Sequence, residues 1–261
     1  MQPTTIVFLA KQEPAMNFTK TLLATLTAAL LANAAFAAET LPLPAGLIPL
    51  QSAEGTRLLE TSGARANFYA LIQHMNSQQK LSYCGVASAV TVLNTLHPTN
   101  TPLCDTLDGK VVYFDQVNFF SKPVEQVVAQ SVVLKQGFTL QEWSGAVATY
   151  GVKTEAWHCG TAEGQADYTN FLARAKVALQ NTNQLLVINF SRKSLGQAGT
   201  GHFSPIGAYN EQANKFLVLD VALFKYPAFW VDGKALWDSL ATVDSVSKKN
   251  RGFVVITSDV K

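Results

Sequence analysis

An acidic residue interrupts an otherwise wholly apolar run, Phe216-Leu217-Val218-Leu219-Asp220-Val221-Ala222-Leu223-Phe224. Such a run goes inside, and an ionised carboxylate is costly to bury without a partner. The chain offers one a short way upstream. Gly201-His202-Phe203-Ser204-Pro205-Ile206-Gly207-Ala208-Tyr209 is followed by the polar Asn210-Glu211-Gln212-Ala213-Asn214 and then by Lys215 and the apolar run. The polar stretch reads as a turn and its flanks as the strands of a hairpin. Folding about residue 211 sets His202 opposite, or nearly opposite, Asp220, and opposed residues have Cβ atoms about 4.5–5.5 Å apart. An imidazole–carboxylate pair is therefore expected. The alternative is a satisfied core histidine beside a chance aspartate.

A second segment supplies a nucleophile. In Gln78-Gln79-Lys80-Leu81-Ser82-Tyr83-Cys84-Gly85-Val86-Ala87-Ser88, a polar stretch gives way to apolar residues at helical spacing, which run to Leu96 before His97-Pro98 stops them. Cys84 falls on the first turn, where unpaired N–H groups and the positive helix end favour thiolate over thiol. A buried structural cysteine is the plainer reading. Joined to the hairpin, Cys84, His202 and Asp220 make nucleophile, base and orienting carboxylate for acyl transfer. Gln78, with the backbone N–H of Cys84, is placed to donate to the developing oxyanion, and Gln79 is its rival.

The chain of 261 residues is 48% hydrophobic, enough for one substantial core. Its net charge of +2 comes without basic blocks interleaved with aromatics, so no nucleic-acid partner is expected. Helices are predicted around 84–96, 123–135, 139–150 and 166–180, and strands around 184–191, 202–209, 215–222 and 252–257, an α+β pattern. Residues 1–37 form a leader. From Met16, an alternative start, Asn17-Phe18-Thr19-Lys20, an apolar run and Ala35-Phe36-Ala37 have the three regions of a secretory signal cleaved before Ala38. The run is too short for stable membrane insertion. The expected product is a single periplasmic or secreted catalytic domain, 38–261. In an oxidising compartment Cys104 and Cys159 either pair or stay as structural thiols. No metal site and no cofactor are expected, since no C-x-x-C or H-x-x-x-H spacing occurs. A homodimer is compatible with the sequence.

The residues carry a resemblance. Tyr83-Cys84-Gly85-Val86-Ala87-Ser88, Gly201 through Gly207, Leu219-Asp220-Val221-Ala222, Phe224-Lys225-Tyr226-Pro227 and Trp230-Val231 are similar to stretches of phytochelatin synthases. Weaker likeness runs through Asp115–Phe120, Asn189–Lys193, Gly196-Gln197 and Thr242–Ser247. The chain most resembles the short bacterial forms. The resemblance implies a papain-like fold, with Cys84, His202 and Asp220 in the chain order of those enzymes. It also implies cleavage of glycine from glutathione through a γ-glutamylcysteinyl thioester, handed in the short forms mostly to water. A thiophilic metal such as cadmium would then enter as a metal-thiolate substrate. Asp244 and Arg251 are implied at the γ-glutamyl end of the substrate, where an acid meets the ammonium and an Arg fork the carboxylate. On residues alone they read as a helix cap and a charge ahead of a strand. Gly85 and Gly201, beside the nucleophile and the base, are assigned to substrate binding. Arg192 belongs either to a mobile flap meeting a substrate carboxylate or to a solvated loop. The competing functions are a full synthase, a general peptidase of the same fold, and a non-catalytic metal-thiolate binding protein using Cys84 and His202 as ligands.

Overall fold

The computed structural model describes residues 40–106 and 109–258, so the leader over 1–37 lies outside the described residues. In chain order the elements are β1 (Ile48–Pro49), α1 (Ala53–Glu60), α2 (Phe68–Gln73), α3 (Cys84–Leu96), β2 (Leu103–Thr106), β3 (Gly109–Val112), α4 (Lys122–Val127), α5 (Gln130–Gln136), α6 (Leu140–Ala148), β4 (Lys153–His158), α7 (Tyr168–Gln180), β5 (Gln184–Ser191), β6 (Gly201–Asn210), β7 (Lys215–Val218), β8 (Phe229–Asp232), α8 (Gly233–Leu240) and β9 (Gly252–Thr257). Strands β2 and β3 form a separate hairpin. The others make one antiparallel sheet in the order β1-β8-β7-β6-β5-β9-β4. The class is α+β.

The central strands show why their sequence is apolar without alternation. Along β5, Leu185 and Val187 join a core shared with α3 and α6, whereas Leu186, Ile188 and Phe190 join a second core with α7 and α8. Helices thus cover both faces, and a strand buried twice needs apolar residues at both parities. Strand β6 keeps this rule with one slip. Phe203 and Ala208 face the first core while Ile206 and Tyr209 face the second, so parity changes at the bulge that the β6–β7 register places between Ile206 and Ala208. An extra residue does this in a lattice of period two. It falls on Gly207, where an added Cβ would sit 3.1 Å from Leu219 and Phe68 side-chain atoms.

Helix starts follow local chemistry. Thr139 and Glu142 close a capping box on α6, and the Asp167 carboxylate accepts the Asn170 N–H at the head of α7. The helix expected over 123–135 is two helices. Its fully buried Val124 and Val133 and the nearly buried Val128 are spaced four and then five apart, and the second step does not fit one helical face. Extended backbone at Val128 and Ala129 resets the phase. The strand expected to reach 222 stops at Val218, and the chain turns so that the Ala222 N–H donates to the Asp220 carboxylate. No disulfide joins Cys104 to Cys159. Cys159 is buried in the second core, while the Cys104 thiol donates to Asp115 beside the small hairpin. Among the described residues no helix is long and apolar enough to cross a membrane.

Candidate active site

Cys84 is the first residue of α3 and is 9% exposed, at the floor of a cleft of about 540 Å³. The cap residue Tyr83 makes no side-chain hydrogen bond to the helix start. Asn76, Ser77 and Gln79 are drawn in by the buried Gln116, whose amide donates to Asn76 and to the Ser77 carbonyl and accepts the Gln79 N–H. His202 stands one residue into β6. Its Nε2–H donates to Asp220 Oδ1 at 2.9 Å, which leaves Nδ1 to make the hydrogen bond to the Cys84 sulfur. The contact between His202 and Asp220 is made, but not through direct opposition. The register pairs Asn210 with Lys215 and Ile206 with Val218, so His202 meets Asp220 diagonally from beyond the end of β7. Burial pushes the Cys84 thiol up, yet the charge and hydrogen bond of His202, the Phe203 N–H and the field of Arg192 bring it below its ordinary value. Burial presses His202 down, and Asp220 and Cys84 more than reverse this. Burial likewise raises Asp220, but His202 and Arg192 hold it far below the usual carboxylate range. Each shift runs toward thiolate, imidazolium and carboxylate in a row.

The cleft wall also carries Gly201, Asp244 and Arg251. Arg251 Nη1 donates to the Val243 carbonyl at 2.6 Å and to Thr242, and Nη2 reaches Asp244 Oδ1 at 3.4 Å. Its Nε–H is buried without a protein partner. Asp244 Oδ2 accepts both the backbone and the hydroxyl of Ser247. Gly201 makes room for this arginine, since a Cβ there would lie 2.9 Å from Nη2. A second hollow of about 250 Å³ lies on the other side of Gly201 and His202, lined by Gln78, Arg192, Phe224 and Lys225.

A sequence model of the family described as Phytochelatin synthase matches residues 38–253. The chain belongs to the phytochelatin synthase family. It is 32% identical over 194 residues to a protein of Schizosaccharomyces pombe named Glutathione gamma-glutamylcysteinyltransferase, covering 74% of this chain and 44% of that one. To the Arabidopsis thaliana protein named Glutathione gamma-glutamylcysteinyltransferase 1 it is 32% identical over 231 residues, covering 87% and 45% respectively. It therefore spans less than half the length of these relatives.

Three expectations for this phytochelatin synthase family member need correction. Gly85 does not line the cleft. It is packed under α6, where a Cβ would fall 2.7 Å from the Phe138 ring, and its carbonyl accepts the Trp143 indole N–H. Gln78 has both amide hydrogens committed, to the Lys80 carbonyl at 2.9 Å and that of Leu81 at 3.0 Å, so it brackets the loop before Cys84 rather than offering a spare oxyanion donor. Arg192 is neither flap nor solvated loop. It is 3% exposed and pairs with Asp220, because a carboxylate buried this deeply draws in a permanent cation. Sequence reasoning missed Gln116 and Trp143, whose partners lie far along the chain, and Gln197, which the fold of its loop brings against Arg192. Among the described residues no group of three or more His, Cys, Asp or Glu side chains is arranged to hold a metal ion.

Proposed function

We propose that this protein is a papain-like cysteine acyl-transfer enzyme that cleaves the Cys–Gly bond of glutathione. The observation that carries the reading is the row Cys84–His202–Asp220 at the floor of a cleft whose wall presents Asp244 and Arg251. The Cys84 thiolate attacks the cysteinyl carbonyl carbon, forming the C–S bond. The imidazolium of His202 gives its Nδ1 proton to the glycine nitrogen as the C–N bond breaks, and glycine leaves. The backbone N–H of Cys84, free at a helix start, donates to the oxyanion. Gln78 keeps the loop before Cys84 in place through its bonds to the Lys80 and Leu81 carbonyls. The γ-glutamyl head is a zwitterion, which suits a wall with one acid and one Arg, and the unpaired Arg251 Nε–H is a donor ready for its carboxylate.

Water then takes the acyl group. It competes at high concentration, and transfer requires an acceptor amine held beside the thioester at high effective molarity. The products are γ-glutamylcysteine and glycine, with (γ-Glu-Cys)n-Gly peptides minor, and cadmium enters only as a thiolate of the substrate. The hollow beside Lys225 and Phe224 favours a second reading, a full synthase with a bound acceptor. The chain is exported through its leader. Mass spectrometry of the products at millimolar glutathione, with and without cadmium, decides between the readings. Dominant longer peptides would overturn hydrolysis, while cleavage of ordinary peptides but not of glutathione would replace both with a general peptidase. Cys84→Ala is expected to abolish product and acyl-enzyme alike, and turnover by that variant would remove the nucleophile from this role.

A further inference from the structure

Arg192 opens the loop after β5, and its surroundings are fixed on every side. Nη2 donates to Asp220 Oδ1 at 2.8 Å, and Nη1 lies 2.8 Å from Oδ2 and donates to Gln197 Oε1 at 2.9 Å. The loop closes around it. Its own N–H donates to the Thr200 carbonyl, and its carbonyl accepts from Leu195 and Gln197. Gly196 and Gly199, at φ +72° and +120°, make the return, and Gly199 lies so close that a Cβ would be 3.1 Å from the Arg192 side chain. Asp220 Oδ1 thus receives Arg192, His202 and the Ala222 N–H together. A surface role for Arg192 leaves this construction without a purpose.

We infer that Arg192 is a positioning residue: a permanent counter-ion that keeps Asp220 ionised and aimed while His202 gains and sheds its proton. This rests on the cysteine acyl-transfer reading above. In the resting state the buried charges are thiolate, imidazolium, carboxylate and guanidinium, which sum to zero. Once Cys84 is acylated and His202 has given its proton to the leaving nitrogen, only carboxylate and guanidinium remain, again summing to zero. Without Arg192 the buried set carries −1 in both states, which strengthens the hold of His202 on its proton and weakens it as an acid. Around this set, Lys225 faces Arg192 and Asp220 from one side, and Arg251 stands behind Gly201 on the other.

The test uses the full chain with Arg192→Met and Arg192→Lys, read as the pH profile of glutathione turnover and, without substrate, as the pH profile of Cys84 alkylation by iodoacetamide. For Arg192→Met both limbs of the turnover profile and the alkylation limb move to higher pH by about one unit, the scale of one opposite charge at this range. At the wild-type optimum kcat falls by roughly 100-fold, as for a weakened general acid, with KM changed far less. Arg192→Lys keeps the charge and loses the fork, so its limbs stay in place and kcat is intermediate. Unmoved limbs in Arg192→Met with a raised KM would assign Arg192 to the substrate, and unmoved limbs with only a lower melting temperature would reduce it to packing. Should Arg192→Met not fold, Arg192→Lys decides alone: a raised KM with kcat retained would overturn the inference. The alkylation limb needs no substrate, so a failure of glutathione cleavage is distinguishable from a failure of this role.

Discussion

Asp220 is the residue on which charge and packing converge, fully buried between an imidazole and a guanidinium. Asp220→Asn removes the counter-charge of both. The variant is expected to lose roughly 10⁴-fold in kcat through the wrong imidazole tautomer and weaker imidazolium support. It also leaves Arg192 buried and uncompensated, a cost of about 3–5 kcal/mol that thermal unfolding will register. The pH dependence follows from the shifts. Asp220 is depressed from its ordinary 3.8, so its contribution is present above that value and is lost as pH falls. His202 is raised from 6.5, so its contribution is complete below that value and is lost as pH rises through the raised one. The stability gap between wild type and Asp220→Asn should therefore shrink as pH drops below about 3.8, and a gap that stayed constant would show that the carboxylate's charge is not what the fold uses. The need for a partner to Asp220 was legible in its apolar neighbours, and His202 could be found by counting along a hairpin. Arg192 could not, because its side chain is brought in by the fold of a glycine-bearing loop and not by strand periodicity.

At the level of elements, the spacing rules succeeded where residues within and beside a segment set its ends and failed where packing elsewhere sets them. Helix α3 and strand β9 begin and end where the residues foretell. The break between α4 and α5 is announced by the five-residue step from Val128 to Val133, whereas the end of β7 depends on what lies across the core and no local pattern announces it. The same is true of the bulge at Gly207, and the turn, which pairs Asn210 with Lys215, sets the hairpin axis between 212 and 213 rather than at 211. Strand β9 gives a test of close packing. Gly252 lies against β4 so tightly that a Cβ would fall 1.9 Å from the Trp157 carbonyl oxygen. Gly252→Ala must push the two strands apart, at a cost of about 1–3 kcal/mol or more in denaturant unfolding. Because Arg251 is the adjacent residue, KM for glutathione should rise more than kcat falls. A variant with unchanged KM would separate the strand from the cleft wall.

Across the whole molecule the cysteines occupy unlike environments. Cys84 is lowered by charge and Cys159 is driven well above its ordinary value by burial alone. Iodoacetamide at neutral pH should therefore spare Cys159 in the native protein, and a denatured, unreduced sample should titrate all three thiols of the sequence. A single thiol would indicate a bridge. The arrangement in layers has a different kind of outcome. The nucleophile belongs to the helical side and its base to the sheet, and the two meet through the packing of α3 against residues such as Phe203 and Leu219 and the hydrogen bonds at Cys84 itself, not through a backbone ladder. Catalysis then works as a gauge of how firmly the layers are docked. On slow heating, turnover should fade several degrees before far-ultraviolet ellipticity changes, because a slip too small to melt any helix already parts sulfur from imidazole.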